Sequence, residues 1–391
     1  MFSERTRWDL RPNRLAERLA AKRAAGARLL DLTESNPTRA GLCGPPDLLF
    51  PLARPEALRY EPSAFGLPAA RAAVAADFAR RGFPLAPERV LLSASTSEAY
   101  AFLFKLLCDP GDEVLVPRPG YPLFEFLATL ESVRVRAYPF AHDGEWHLDL
   151  AALRSAIGPR TRALVVVNPN NPTGAYLKRE ELDALLALCA ERGMALVSDE
   201  VFADFTLTDD SRRVASVASD GPALAFALGG LSKSCGLPQL KLAWTAVTGP
   251  EGLVRDALAR LEVVADTYLS VSTPVQLAAP ALIARREELQ APIRERILSN
   301  LQALRDAIGP GCPATILPPE GGWSAVLRVP ATLTEEERVT RLLEERDVLV
   351  HPGYFFDFPA EAYLVLSLLP EPRDFAEGVA RVLADLKADE P

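Results

Sequence analysis

A lysine, a carboxylate, an amide, an aromatic ring and a group of hydroxyls each follow a short apolar run of this sequence. Lys233 follows one run after two glycines, and Asp199 directly follows another. Asn171 and Tyr121 follow two more, each within a proline-rich turn. A fifth run is followed by the hydroxyl residues Ser95, Thr96 and Ser97. Together these groups could bind an anionic, planar ligand that has a basic ring nitrogen and an aldehyde.

Taken singly, each residue has an ordinary structural explanation. A lysine near a strand end is commonly a solvated surface residue, a serine or threonine that opens a helix caps it, and a turn tyrosine covers core. A buried carboxylate such as Asp199 needs a cationic ligand or a Lys or Arg neighbour, because an unpaired buried charge is costly. Pyridoxal 5′-phosphate has a chemical group that matches each of these five kinds of residue. Its phosphate would bind to the hydroxyls and the backbone N–H groups at the start of the helix. The two glycines before Lys233 would then leave room for a turn and a nearby cofactor.

The apolar runs predict the elements that position these residues. Runs of four to six residues alternate with helical periodicity, which is typical of buried strands in a mostly parallel sheet with helices on both faces. In open α/β sheets the ligand lies beyond the carboxyl ends of the strands. The predicted strands are 89–92, 113–116, 163–167, 194–198 and 223–228, with helices near 97–107 and 178–193.

The pattern changes from about residue 250. One or two long helices are predicted over 274–307, followed by a strand, a helix near 333–346, another strand and a final helix to about 388. We therefore predict a smaller α+β domain that the N-terminal segment joins. The predicted boundaries are an N-terminal arm with part of the small domain over 1–45, a large cofactor-binding domain over 46–285 and a small C-terminal domain over 286–391.

Composition excludes several classes of function. The net charge of −9 argues against nucleic acid as a partner, and no apolar run approaches the ~20 residues of a membrane helix. Five scattered cysteines without a CxxC pair are typical of a reducing compartment, so we predict a cytoplasmic protein. The three histidines are not at metal-ligand spacing, and no metal site is predicted.

The sequence resembles the class I and II aminotransferases, the fold type I pyridoxal-phosphate enzymes. The resemblance covers roughly residues 30–385. The carrying motifs are "NPNNPTG", "SDEVF" and "LSKSCGLPQLKLAW", with "SASTSEA", "PRPGYP", "PPEGGW" and "HPGYFF" in the expected order. The family implies a large domain with a mostly parallel seven-stranded sheet between helices, and a small α+β domain.

The resemblance implies a role for each strand-end residue. Lys233 would bind the cofactor aldehyde as a Schiff base and then shuttle a proton, and Asp199 would keep the pyridine nitrogen protonated. Asn171 would hydrogen-bond the phenolic oxygen, and Tyr121 would stack on the ring. The phosphate would be held by Ser95, Thr96, Ser97, Ser232 and Lys241. Tyr60 resembles the tyrosine that reaches the phosphate from a neighbouring subunit, which implies a homodimer.

Three cofactor positions depart from the family pattern. Ser95 stands where a glycine is common, so the loop backbone is expected to differ slightly. Phe202 replaces a tyrosine that donates to the phenolic oxygen, and this loss should raise the pKa of the cofactor Schiff base. Lys241 stands in place of an arginine. This substitution keeps the positive charge but loses the planar guanidinium group that donates paired hydrogen bonds.

A fourth departure concerns the substrate. Val365, in "AYLVLSLLPEP", stands where the family has an arginine that binds the substrate carboxylate through paired hydrogen bonds. Arg373 is the nearest downstream arginine and lies past a proline-rich turn. Either another group binds the carboxylate or the substrate has none there. The candidate substrate-binding residues are Asn36, Arg39, Trp323 and Arg328.

The predicted function is that of a dimeric pyridoxal-phosphate-dependent aminotransferase that moves an amino group between an amino donor and a keto acid. A C–S β-lyase, a decarboxylase or a racemase on the same fold is the alternative, because these enzymes share the cofactor site. A non-catalytic, ligand-sensing homologue is a third possibility, disfavoured by the presence of both Lys233 and Asp199.

Overall fold

The computed structural model describes residues 1–389 of the 391-residue chain. Its strands are β1 (Leu30–Asp31), β2 (Val90–Ser93), β3 (Glu113–Arg118), β4 (Arg134–His142), β5 (Trp146–Leu148), β6 (Thr161–Val167), β7 (Ala195–Asp199), β8 (Ala225–Gly230), β9 (Ala243–Thr248), β10 (Thr315–Leu317), β11 (Ser324–Arg328), β12 (Val348–Leu349), β13 (His351–Pro352) and β14 (Tyr363–Ser367). Its α-helices are α1 (Arg14–Ala24), α2 (Pro68–Arg80), α3 (Thr96–Leu107), α4 (Phe124–Leu130), α5 (Leu150–Ala156), α6 (Arg179–Arg192), α7 (Leu231–Ser234), α8 (Glu251–Tyr268), α9 (Thr273–Ala284), α10 (Arg286–Ala307), α11 (Glu335–Arg346) and α12 (Pro372–Lys387).

A mostly parallel sheet forms the centre of the molecule, in the strand order β2-β9-β8-β7-β6-β3-β4-β5. The five strands from β8 to β4 are parallel, whereas β9 runs antiparallel to both of its neighbours and β5 runs antiparallel to β4. The sheet has eight strands and not the expected seven, because the short strand Trp146–Leu148 pairs with the end of β4. The predicted fold type I architecture is confirmed.

Continuously apolar strands fit this sheet because both of its faces are covered. Successive residues of a strand point to opposite faces, so Leu115 and Leu164 pack into one core while Val114 and Val165 pack into the other. The amphipathic helix α6 buries Leu182 and neighbouring leucines against the first of these cores. All the predicted strands of this region are present, with boundaries shifted by two residues or fewer.

A second, four-stranded antiparallel sheet has the order β10-β11-β14-β13 and its own apolar core. The N-terminal strand β1 pairs in parallel with β12, so the N-terminal segment joins this C-terminal part of the chain. The boundaries at residues 46–285 and 286–391 stay predictions. Among residues 1–389, no helix combines the length and the apolar content that crossing a membrane requires.

Candidate active site

The carboxyl ends of the parallel strands open into a cavity of about 420 Å³, with the four-stranded sheet on its other side. This volume lies within the range of small-molecule sites. The cavity brings together eleven of the predicted site residues, namely Ser95, Thr96, Ser97, Tyr121, Asn171, Asp199, Phe202, Ser232, Lys233, Lys241 and Trp323.

Lys233 lies on the one-turn helix α7 that directly follows β8. Its Nζ is 5.4 Å from the centroid of the Phe202 ring and 4.8 Å from that of the Trp323 ring. Burial lowers the pKa of the Lys233 amine to about 8, and the charge of Asp199 partly offsets this shift. A larger fraction of the amine is therefore uncharged near neutral pH than in an ordinary lysine, and the uncharged form is the nucleophile.

Asp199 ends strand β7 and is buried. Its carboxylate accepts hydrogen bonds from the Val201 N–H at 3.2 Å and from the Tyr100 hydroxyl at 3.3 Å. Burial raises the pKa of Asp199 to about 6, against the effects of these two bonds and of Lys233. A cationic ring N–H bound here would remove much of the cost of the buried charge.

The glycines before Lys233 lie close to the neighbouring strand. A Cβ on Gly229 would lie 2.5 Å from Nε1 of Trp244, and one on Gly230 would lie 3.1 Å from Ala243 and from the Leu242 carbonyl oxygen. Both contacts are with strand β9 or the residue before it. The antiparallel neighbour strand is therefore sufficient to exclude a side chain at both glycines, and room for a nearby cofactor stays a prediction.

The three asparagines of "NPNNPTG" divide into two roles. The Asn168 amide donates to the Val214 carbonyl, and the Asn170 side chain bonds Thr173 and the Pro119 carbonyl. These two residues hold the loop, whereas Asn171 lines the cavity. The sequence alone does not distinguish the three.

The hydroxyl residues lie at the start of α3. Ser95 is the N-cap, and its hydroxyl oxygen accepts from the Glu98 N–H at 3.1 Å, so the capping explanation holds for this residue. Its φ of −163° is extended backbone, which any residue adopts, so no glycine is required. Thr96 and Ser97 follow at the helix N-terminus, and Lys241, two residues before the Ala243 that pairs with Ser93, lines the same cavity. This end of the cavity suits an anion.

The residues present fit pyridoxal phosphate. An anion site, an amide, an aromatic ring, a buried carboxylate of raised pKa and an amine of lowered pKa all line one cavity. Each of these groups matches a different part of that cofactor.

Four predicted site residues lie outside this cavity. Tyr60 is exposed and lines a small separate cleft beside Leu269. The Asn36 side chain accepts from the N–H and the hydroxyl of Thr38. Arg39 lines an adjacent cleft and forms an ion pair with Glu34 at 2.9 Å. Arg328 is exposed at the end of β11.

Sequence reasoning missed several residues that line the cavity or bond to a lining residue. Tyr100 lies one helical turn after Thr96, on the buried face of α3, and this spacing could have indicated its bond to Asp199. His351 and Phe355 lie within "HPGYFF" but were given no role. Both line the main cavity and also the adjacent cleft of about 410 Å³.

Val365 is buried on β14 and lines the cavity. The cavity wall therefore has a valine side chain where the family resemblance places a carboxylate-binding arginine. No arginine lines this cavity within residues 1–389.

Comparisons with known proteins show which family the chain resembles. The family model "Aminotransferase class I and II" matches residues 52–371. An alanine aminotransferase of Mycobacterium bovis is 31% identical over 374 residues, which cover 92% of this chain and 86% of the relative. An S-alkyl-thiohydroximate lyase of Arabidopsis thaliana is 31% identical over 247 residues, which cover 62% of this chain and 52% of that relative. The solved structure of an aminotransferase from Escherichia coli aligns with a TM-score of 0.87 at 24% identity, over 99% of this chain and 98% of that one, and shows the fold.

Proposed function

Since this chain belongs to the class I and II aminotransferase family and is a pyridoxal-phosphate-dependent aminotransferase, we propose that Lys233 and Asp199 carry its amino-group transfer. One observation supports this assignment above the others. A lysine with a pKa of about 8 and a buried carboxylate line one cavity at the carboxyl ends of the parallel strands. The amino donor and the keto-acid acceptor would be bound in turn at this position.

The cofactor supplies an aldehyde that condenses with amines and a ring that accepts the electrons released at the substrate α-carbon. Asp199 would hold the proton on the ring nitrogen, and Asn171 would hydrogen-bond the phenolic oxygen. Tyr121 would cover the ring face, and the Nζ of Lys233 would accept the proton from the substrate α-carbon. The phosphate would be held by Ser95, Thr96, Ser97, Ser232 and Lys241.

Recognition of the substrate carboxylate is atypical in this proposal. Val365 offers the cavity a methyl surface, and a carboxylate left unpaired against it would lose its hydration without compensation. In this proposal the carboxylate is therefore bound by a residue at another position.

We also propose a homodimer in which Tyr60 contributes to the partner's cofactor site. Tyr60 is 79% exposed, and the large apolar side chains of Leu58 and Phe50, which precede it in the sequence, are exposed as well. Exposed apolar surface of this kind is typical of an interface. Residence in the cytoplasm stays a prediction.

The function is tested with purified protein, pyridoxal phosphate, L-alanine and 2-oxoglutarate. We expect pyruvate and glutamate in equal amounts, no more than one pyruvate per bound cofactor when the keto acid is omitted, and no turnover by Lys233→Ala. Glutamate formation that persists in Lys233→Ala would contradict the assignment.

A C–S lyase is distinguished by the same assay with S-methyl-L-cysteine. Pyruvate and ammonia formed without any keto acid, at a rate above that of transamination, would favour the lyase reaction. The Arabidopsis thaliana relative makes this control necessary.

A further inference from the structure

The surroundings of Val365 in the four-stranded sheet are defined by the strand register. His351 of β13 lies directly opposite Val365 on one side, and Val326 of β11 lies opposite it on the other. Directly opposed residues of antiparallel strands point to the same face of a sheet, with Cβ atoms about 5 Å apart. His351 therefore lies beside Val365 on the same face, and both residues line the cavity.

Three side chains that can carry positive charge line this cavity within residues 1–389, namely Lys233, Lys241 and His351. In the proposed function Lys233 attaches to the cofactor and Lys241 binds its phosphate. His351 is then the cation-forming group left for the substrate. It is partly buried, and its ring packs against Phe355 and Phe356 at centroid distances of 5.6 and 5.7 Å.

We propose that His351 binds the carboxylate of the amino substrate, in place of an arginine at position 365. This inference rests on the proposed function, because it assumes a cofactor bound at Lys233. A protonated imidazole donates an N–H to one carboxylate oxygen and supplies a full positive charge. His351 is a specificity-determining residue for α-amino acids in this arrangement.

The arginines near His351 are already paired with carboxylates, so His351 is the group whose protonation a bound substrate carboxylate would change. On the cleft side Arg23 pairs with Asp31 at 3.8 Å, and Arg39 pairs with Glu34 at 2.9 Å. The titratable or charged groups that face it across the cavity are Tyr121, Asp199, Lys233 and Lys241. Burial lowers the pKa of His351 below its usual range, and the charge of Asp31 partly offsets this shift.

A substrate carboxylate must therefore bind together with a proton at neutral pH. Linkage requires that the bound carboxylate raise the pKa of His351 and that affinity fall as the pH rises above the pKa of the free enzyme. The KM for a carboxylate substrate should rise by up to about tenfold per pH unit in that range. The turnover number should change little, because the interaction is made in both the ground state and the transition state.

The test compares L-alanine with L-alaninamide, which keeps the shape of the amino acid and removes the carboxylate charge. The half-reaction of the cofactor-loaded protein is followed by cofactor absorbance between pH 6 and pH 9. In His351→Asn we expect the KM for L-alanine at pH 6 to rise about ten- to a hundredfold, while the KM for L-alaninamide is unchanged. For each substrate, the KM of His351→Asn is divided by the KM of wild type at the same pH. This ratio removes the effect of the titration of the substrate amine.

Two further variants support the comparison. His351→Gln keeps a neutral donor, so it should show an intermediate KM for L-alanine that does not follow the protonation of a histidine. His147→Asn alters a partly exposed histidine outside the cavity and should behave as wild type.

Several outcomes would overturn the inference. An equal loss for acid and amide would mark a merely structural role for His351. Carboxylate binding by His351 would be excluded if the ratio of the KM for L-alanine to the KM for L-alaninamide were the same in His351→Asn as in wild type. It would also be excluded if the wild-type enzyme preferred L-alaninamide at every pH. Failure of the proposed function is recognised separately, because the wild-type protein would then form no covalent link to the cofactor at Lys233.

Discussion

Replacing Asp199 by asparagine should stabilise the cofactor-free protein and weaken cofactor binding. Burial raises the pKa of this carboxyl from an ordinary value of 3.8 to about 6. At about 1.4 kcal/mol per unit, the ionised side chain costs the folded state roughly 3 kcal/mol above pH 6. An asparagine can keep the bond from the Val201 N–H, and the Tyr100 hydroxyl can rotate to accept from the new amide.

The expected gain in the free energy of unfolding is smaller than the full cost of the buried charge. Lys233 loses a nearby negative charge in the variant, so we expect Asp199→Asn to raise the free energy of unfolding by about 1 to 3 kcal/mol at pH 7.5. The folded-state pKa lies above that of the unfolded chain, so the cost is absent below pH 4 and complete above pH 6. The advantage of the variant should therefore be roughly halved near pH 5.

Urea unfolding of the cofactor-free proteins between pH 4 and pH 7.5 measures this difference. Asp209→Asn, at an exposed carboxylate, is the matched control. Cofactor affinity should fall about ten- to a hundredfold in Asp199→Asn, because a hydrogen bond to a charged ring nitrogen is lost. A variant that is less stable than wild type at pH 7.5, or whose advantage does not vary with pH, would refute the reasoning.

The other predictions concern neighbouring residues. Phe202→Tyr should lower the pKa of the cofactor's visible chromophore in a spectrophotometric titration, and an unchanged pKa would contradict the missing-donor argument. Lys241→Ala should weaken cofactor binding by about tenfold, with recovery in Lys241→Arg; equal affinities would exclude a phosphate contact. Gly229→Ala should lower the free energy of unfolding by about 1–3 kcal/mol because of the contact with Trp244, and unchanged urea unfolding would disprove this. Tyr60→Phe should weaken cofactor binding if a partner subunit supplies this hydroxyl, and should not do so in a monomer.

The sequence was sufficient to predict four of the five parallel strands, all but β4, and the groups at their ends. Continuous apolar runs such as 163–167 are local signals, and the polar residue after each run meets the others because parallel strands end at one edge of the sheet. The antiparallel strand β9 was not predicted, although it decides what fits at Gly229.

Features that depend on pairing between distant segments could not be predicted. His351 lies beside Val365 through the register of β13 with β14, and no local pattern specifies this register. For the same reason the sequence suggested Arg39 and Arg328 as carboxylate partners, although neither lines the cavity. The bond from Tyr100 to Asp199 joins α3 to β7 and is also long-range.

The central claim is that Lys233 is the residue to which the cofactor attaches. Borohydride reduction of the cofactor-loaded protein followed by peptide mass spectrometry tests it directly. We expect one reduced pyridoxyl group, on the peptide that contains Lys233, with the nearby Lys241 unlabelled and no label in Lys233→Ala. A label on another lysine, or a label that survives in Lys233→Ala, would contradict the account.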